Sequence, residues 1–139
     1  PGQEPAPRRD VHVAAMEAPS AVALRQLANE LSAEDAASLA SDCLSDLDAQ
    51  LDELQEALTL RNAEEARRLA HSLKGTSSIF CLDALREAAE AVESSARGGD
   101  ASHSLSLMAP LRSAATAASA ELRTAVTSLA AHSVLVPMS

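Results

Sequence analysis

The sequence predicts an all-α fold: an antiparallel up-down-up-down four-helix bundle with a short extra helix at its N-terminal side. Three observations carry the prediction. Alanine and leucine, both strong helix formers, supply most of the 47% hydrophobic content, and Phe80 is the only aromatic residue. Sheet cores draw instead on aromatic and β-branched side chains. No proline occurs between Pro19 and Pro110, and apolar residues recur there at spacings of three and four. A chain of 139 residues has room for one domain with one core, so a single site is expected.

Residues 1–19 hold four of the six prolines and no helical period, and read as a linker or tether. From Ser20 the positions Val22, Leu24, Leu27 and Leu31 suggest a short helix lying across one end of the bundle. Ser32 stops it and caps the next helix, whose first turn carries Glu34 and Asp35 where carboxylates suit the positive helix end. That second helix runs from about Ala33 to Leu60 on a stripe of Ala40, Leu44, Leu47, Leu51, Leu54 and Leu58. Its other faces are acidic through Asp42, Asp46, Asp48, Asp52, Glu53 and Glu56, the pattern of a solvated surface.

Asn62 followed by Glu65 forms a capping-box-like start for a third helix reaching to about Phe80. Asp83 is placed to cap a fourth, about Ala84 to Arg97, which Gly98 and Gly99 end. The last helix carries Leu105, Met108, Leu111, Ala115, Ala118, Leu122, Val126 and Leu129. This stripe continues across Pro110, which must kink the helix or sit in its first turn. The bundle domain is thus expected over residues 20–132, with a C-terminal tail at 133–139.

The net charge of -9 disfavours nucleic acid and anionic lipid as partners for the chain as a whole. No apolar run approaches the length of a bilayer span, and no charged-then-apolar signal opens the chain. Cys43 and Cys81 have neither CxxC nor metal-ligand spacing, and read as reduced, buried, small hydrophobes of a cytoplasmic protein. His12, His103 and His132 show no ligand spacing and are given no role, so no metal site is expected. A chain starting at Pro1 and not at Met reads as an excised piece or a processed chain.

The informative segment is RRLAHSLKGTSSIF, Arg67 to Phe80. On a helical wheel with His71 at zero, Ala66, Leu69, Leu73, Thr76 and Phe80 fall within about 45° of the opposite pole. Arg67, Arg68, Lys74, Gly75 and Ser78 fall within about 60° of His71. His71 is therefore predicted to face water among cations. Gly75 costs about 1 kcal/mol relative to alanine inside a helix. Its position one turn from an exposed imidazole would let another molecule's backbone approach the ring. A neutral ring nitrogen is a nucleophile near neutral pH without a partner base. Lys74, the only lysine against ten arginines, can bring a compact charge to a phosphoryl group there. Arg67 and Arg68 are candidates either for docking or for pairing with Glu64 and Glu65 on their own helix.

These residues resemble a known family: AHSLKG, Ala70 to Gly75, is similar to the signature of histidine-containing phosphotransfer domains of bacterial phosphorelays. The resemblance covers about Ser20 to Ala131. It implies that His71 takes the phosphoryl group, Lys74 steadies it, and Gly75 clears space for a receiver domain. The family usually carries a glycine near the end of this helix, where this chain has Cys81. That departure bears on how the helix ends and not on the chemistry.

The resemblance implies reversible phosphoryl exchange between His71 and an aspartate on a response-regulator receiver domain. The receiver would supply the acidic pocket and the divalent metal, and this domain would bind no cofactor. Neither GxxxxGK[ST] nor GxGxxG occurs, so phosphorylation from ATP would need a histidine kinase in the same or another chain. Arg61, Arg67, Arg68 and Lys74 against Glu64 and Glu65 make a local positive patch that suits an acidic receiver. Two other readings stay open, a receiver-binding module without turnover and the phosphotransfer module of a chemotaxis-type kinase. The Pro-rich start points to the C-terminal module of a hybrid sensor kinase, with a stand-alone carrier as the alternative, and the polar surface points to a monomer.

Overall fold

The computed structural model describes residues 17–135, with side chains through residue 131. Of the expected tails at 1–19 and 133–139, residues 1–16 and 136–139, with His12 and the side chain of His132, lie outside the described residues, whereas Pro19 and residues 133–135 are helical and belong to the fold. The elements are α1 (Pro19–Glu30), α2 (Ala33–Thr59), α3 (Ala63–Ile79), α4 (Asp83–Arg97), α5 (Ala101–Ser106) and α6 (Met108–Leu135). No strand occurs among the described residues. The all-α bundle is as predicted: α2, α3, α4 and α6 form a closed ring in which α3 packs on α2 and α4, and α6 on α4 and α2. The α3–α4 pairing is the most extensive, and α1 lies against α6 and α2.

Leucine and alanine build the core. Leu47, Leu51, Leu54 and Leu58 from α2 meet Leu85, Ala89 and Val92 from α4 and Leu111, Leu122 and Leu129 from α6, with Phe80 and Leu82 at one end. Starts and stops follow the sequence in most places. The Ser32 and Asn62 side chains accept from the backbone N–H groups of Asp35 and Glu65, satisfying donors that a helix start leaves open. Pro110 sits in the first turn of α6, where its missing N–H costs nothing. Leu105, read as part of the same helix, belongs to the separate turn α5, which Asp100 caps through the His103 N–H.

Several expectations are corrected. Asp83 does not cap α4; it is the first helical residue after Leu82, and its carboxylate can act only on the helix dipole. Leu31, predicted inside, is 51% exposed, and α1 buries Ser20, Ala23 and Leu24 instead. Ser20 is held inside by donating to Glu121 Oε2 at 2.6 Å, so α1 is oriented by a polar contact that no hydrophobic stripe reveals. Cys43 and Cys81 are half-buried. Burial and then the nearby Asp46 push the Cys43 thiol up, which keeps it protonated and inert.

Cys81 adopts a left-handed backbone with φ of 53°. The Leu82 N–H donates to the Ser77 carbonyl at 2.9 Å and the Cys81 N–H to the Ser78 carbonyl at 3.2 Å. These two bonds close α3 in a Schellman turn, whose left-handed position normally favours glycine. The α2 end repeats the geometry at Arg61, with φ of 58°, and the α4 end at Gly99, with φ of 78°. The helix ends where it should despite lacking a glycine at position 81. A side chain there costs roughly 1–2 kcal/mol of backbone strain, partly offset by lower unfolded-state entropy. Cys81→Gly is therefore expected to raise the unfolding free energy by about 1 kcal/mol, measured by urea titration.

Candidate functional site

The site lies on the outer face of α3 and on the adjoining face of α4. The observed core side of α3 is Ala66, Ala70, Leu73, Ser77 and Phe80, whereas Leu69 and Thr76, predicted inside, are only half-buried. Relative to the predicted wheel the helix is turned by roughly 40°, which brings Lys74 and His71 toward α4. His71 remains outward, its side chain 64% exposed. Gly75 is exposed as well, and a Cβ built on it would meet nothing within 4 Å. It is not wedged between helices, so tight packing does not explain it.

The residue that sequence reasoning missed is Glu93 on α4. Its side chain is only 3% exposed, yet it is the hub of the site. Oε2 lies 2.9 Å from His71 Nδ1 and accepts from Arg97 Nη2 at 3.1 Å, and Oε1 lies 2.9 Å from Lys74 Nζ. The signal was present: Glu93 falls four residues after Ala89 and next to Val92, on the stripe that α4 buries. A carboxylate on an apolar stripe requires a partner, because a charge buried alone is strongly unfavourable.

Electrostatics follow from this geometry. Burial pushes the Glu93 carboxyl up, but Lys74 and His71 beside it more than offset that and hold it below the ordinary value of 4.5. It is ionised at neutral pH. An ionised carboxylate can only accept, so Nδ1 of His71 carries the hydrogen, and in the neutral ring the lone pair sits on Nε2. Since the folded state holds this carboxyl below its unfolded value, the stabilisation is present at pH above 4.5 and is lost as pH falls through the folded-state value. The difference in unfolding free energy between wild type and Glu93→Gln should therefore shift against the wild type on acidification below pH 4.5. Urea titrations at several pH values measure it.

Arg67 and Arg68 pair within their own helix, Arg67 with Glu64 at 3.4 Å and Arg68 with Glu65 at 2.7 Å. The cations nonetheless stay on the His71 side of α3. Ser78 is exposed, its hydroxyl donating to the Lys74 carbonyl at 3.0 Å. Ile79 stands exposed on the Gly75 side of His71, an apolar side chain that the sequence reading did not single out. The structure thus brings His71, Lys74, Gly75 and Ser78 onto one accessible face, with Arg67 and Arg68 flanking it.

Residues 38–132, about two thirds of the chain, match the family model described as the Hpt domain. The chain belongs to the Hpt domain family. No curated protein and no solved structure matches it. Membership places this Hpt domain in phosphotransfer of two-component signalling, where such domains interact with response-regulator receivers and kinases. The matched span takes in nearly all of α2, the whole of α3, α4 and α5, and most of α6, so it contains every residue around Glu93. No helix of the described residues is long and apolar enough to cross a membrane.

Proposed function

We propose that this Hpt domain is a phosphorelay intermediate that accepts a phosphoryl group on Nε2 of His71 from receiver aspartates and returns it to them. The observation that carries the reading is the Glu93 Oε2 to His71 Nδ1 contact at 2.9 Å on an otherwise exposed ring. It places the proton on the inner nitrogen and leaves the nucleophilic lone pair on the outer one.

In the transfer, the Nε2 lone pair forms the N–P bond while the P–O bond to the aspartate breaks. The carboxylate oxygen leaves with the electron pair. Positive charge grows on the imidazole as it gives up its lone pair, and the Glu93 carboxylate stabilises that charge through Nδ1–H, as an acidic partner does for a catalytic histidine. Lys74 supplies a mobile cation one turn from the reacting nitrogen for the phosphoryl oxygens. Gly75 lets the receiver's backbone come close enough for in-line attack, and Arg67, Arg68 and Ser78 form the docking rim. The receiver brings the divalent metal and the acidic pocket, and the domain itself binds no cofactor. With the hydrogen on Nδ1 of the neutral ring, Nε2 carries the lone pair, and the transfer from this form needs no further base.

The experiment is transfer of labelled phosphate from a phosphorylated receiver of the source organism to the wild-type domain and to His71→Gln. The expected result is acid-labile label on the wild type and none on the variant. Label that still moves to His71→Gln would overturn the assignment.

A further inference from the structure

We propose that Arg97 is a positioning residue for phosphotransfer: a second counterion that keeps buried Glu93 paired while Lys74 crosses to the phosphoryl group on His71. This rests on the reading of His71 as the phosphoryl acceptor.

The two oxygens of Glu93 are held differently. Oε2 accepts from both His71 Nδ1 at 2.9 Å and Arg97 Nη2 at 3.1 Å. Oε1 is fully buried and pairs with the Lys74 ammonium at 2.9 Å. The contacts at Oε2 do not depend on Lys74. Its side chain is 28% exposed and its stem flexible, so it can turn outward.

Phosphorylation puts a second anion on the far side of one imidazole ring. Before transfer, two cations serve one carboxylate. Afterwards, the carboxylate and a dianionic phosphoryl group compete for them. If Lys74 were the sole counterion of Glu93, moving it would leave a carboxylate that is 3% exposed with no cation, a strongly unfavourable state. Arg97 removes that obstacle. It sits four residues after Glu93, in the last turn of α4, where a cation also suits the negative helix end. Its planar fork stays on Oε2 beside the Nδ1–H, while Lys74, three residues after His71 on the same helix, can turn to a group on Nε2. With its side chain 60% exposed, Arg97 resembles an ordinary surface pair on α4. Such pairs contribute little when both partners are solvated, but Glu93 is not.

The test loads the full chain with phosphoramidate, a small donor whose P–N bond breaks and whose ammonia leaves as the His71 N–P bond forms. After removal of the donor, loss of phosphohistidine is followed by phosphorus NMR at neutral pH. Arg97→Gln is expected to lose the phosphoryl group about five-fold faster than wild type, and Arg97→Lys to stay within about two-fold of it. In a Lys74→Gln background, adding Arg97→Gln should change the rate by less than about two-fold, because the residue acts through Lys74. A wild-type rate in Arg97→Gln, or an undiminished effect without Lys74, would overturn the proposal. A wild-type chain that takes up no phosphate on His71 would overturn the acceptor reading itself, and this proposal with it.

Discussion

Replacing Glu93 by alanine is expected to slow phosphoryl uptake by His71 about 100-fold, in the range that proton placement and charge stabilisation contribute in other histidine chemistry. Two effects combine. Without the carboxylate, nothing fixes the hydrogen on Nδ1, and the ring samples the tautomer whose outer nitrogen is protonated and cannot attack. The positive charge that develops on the imidazole also loses its partner in a half-buried setting where that partner counts for more than in water. Glu93→Gln separates the two effects. Its amide oxygen can still accept from Nδ1–H, but it carries no charge, so a loss of about 10-fold is expected. Single-turnover transfer from a phosphorylated receiver measures both, and circular dichroism confirms that each variant stays helical. Unchanged rates in folded Glu93→Ala would show that the buried carboxylate serves packing alone.

Substitution of Gly75 should move stability and transfer in opposite directions. A Cβ at this position meets open space, so Gly75→Ala relieves the helix of its most flexible residue and should add about 1 kcal/mol to the unfolding free energy. Gly75→Gln should add slightly less. Transfer should nonetheless fall, by about 10-fold for alanine and about 100-fold for glutamine, as the side chain stands where the receiver must approach. Phosphoramidate is small enough to pass, so its reaction with His71 should be nearly unaffected in both variants. This pattern, a more stable domain that accepts phosphate from a small donor but not from a receiver, is what a clearance glycine produces. Loss of stability in Gly75→Ala would contradict it.

The parts of the site carried by one helix were legible in the sequence, because a 3.6-residue period ties neighbours together before any packing is known. His71, Lys74, Gly75 and Ser78 fall on one face of α3 by spacing alone, and the structure keeps them there. What depends on a second helix was not legible. The wheel placed Leu69 and Thr76 inside with Ala66, Leu73 and Phe80, whereas the packed helix buries Ala70 and Ser77 in their stead. The same register decides that Glu93, 22 residues after His71, meets its ring. Glu93 could have been flagged as a carboxylate on a buried stripe, though its partner could not be named from spacing. Local signals also misled where a motif had two solutions: Asp83 looks like a cap but lies one residue inside α4, and the left-handed turns at Arg61 and Cys81 lack the glycine that announces the one at Gly99.

These results share one physical basis, a buried carboxylate that orients an exposed imidazole. The most direct test is the position of phosphorus on the ring, read by phosphorus and nitrogen NMR of the loaded chain labelled with nitrogen-15 in histidine. The expected spectrum has phosphorus bonded to Nε2 of His71 with the hydrogen retained on Nδ1. Phosphorus on Nδ1, on another histidine or on a carboxylate would contradict the role given to Glu93.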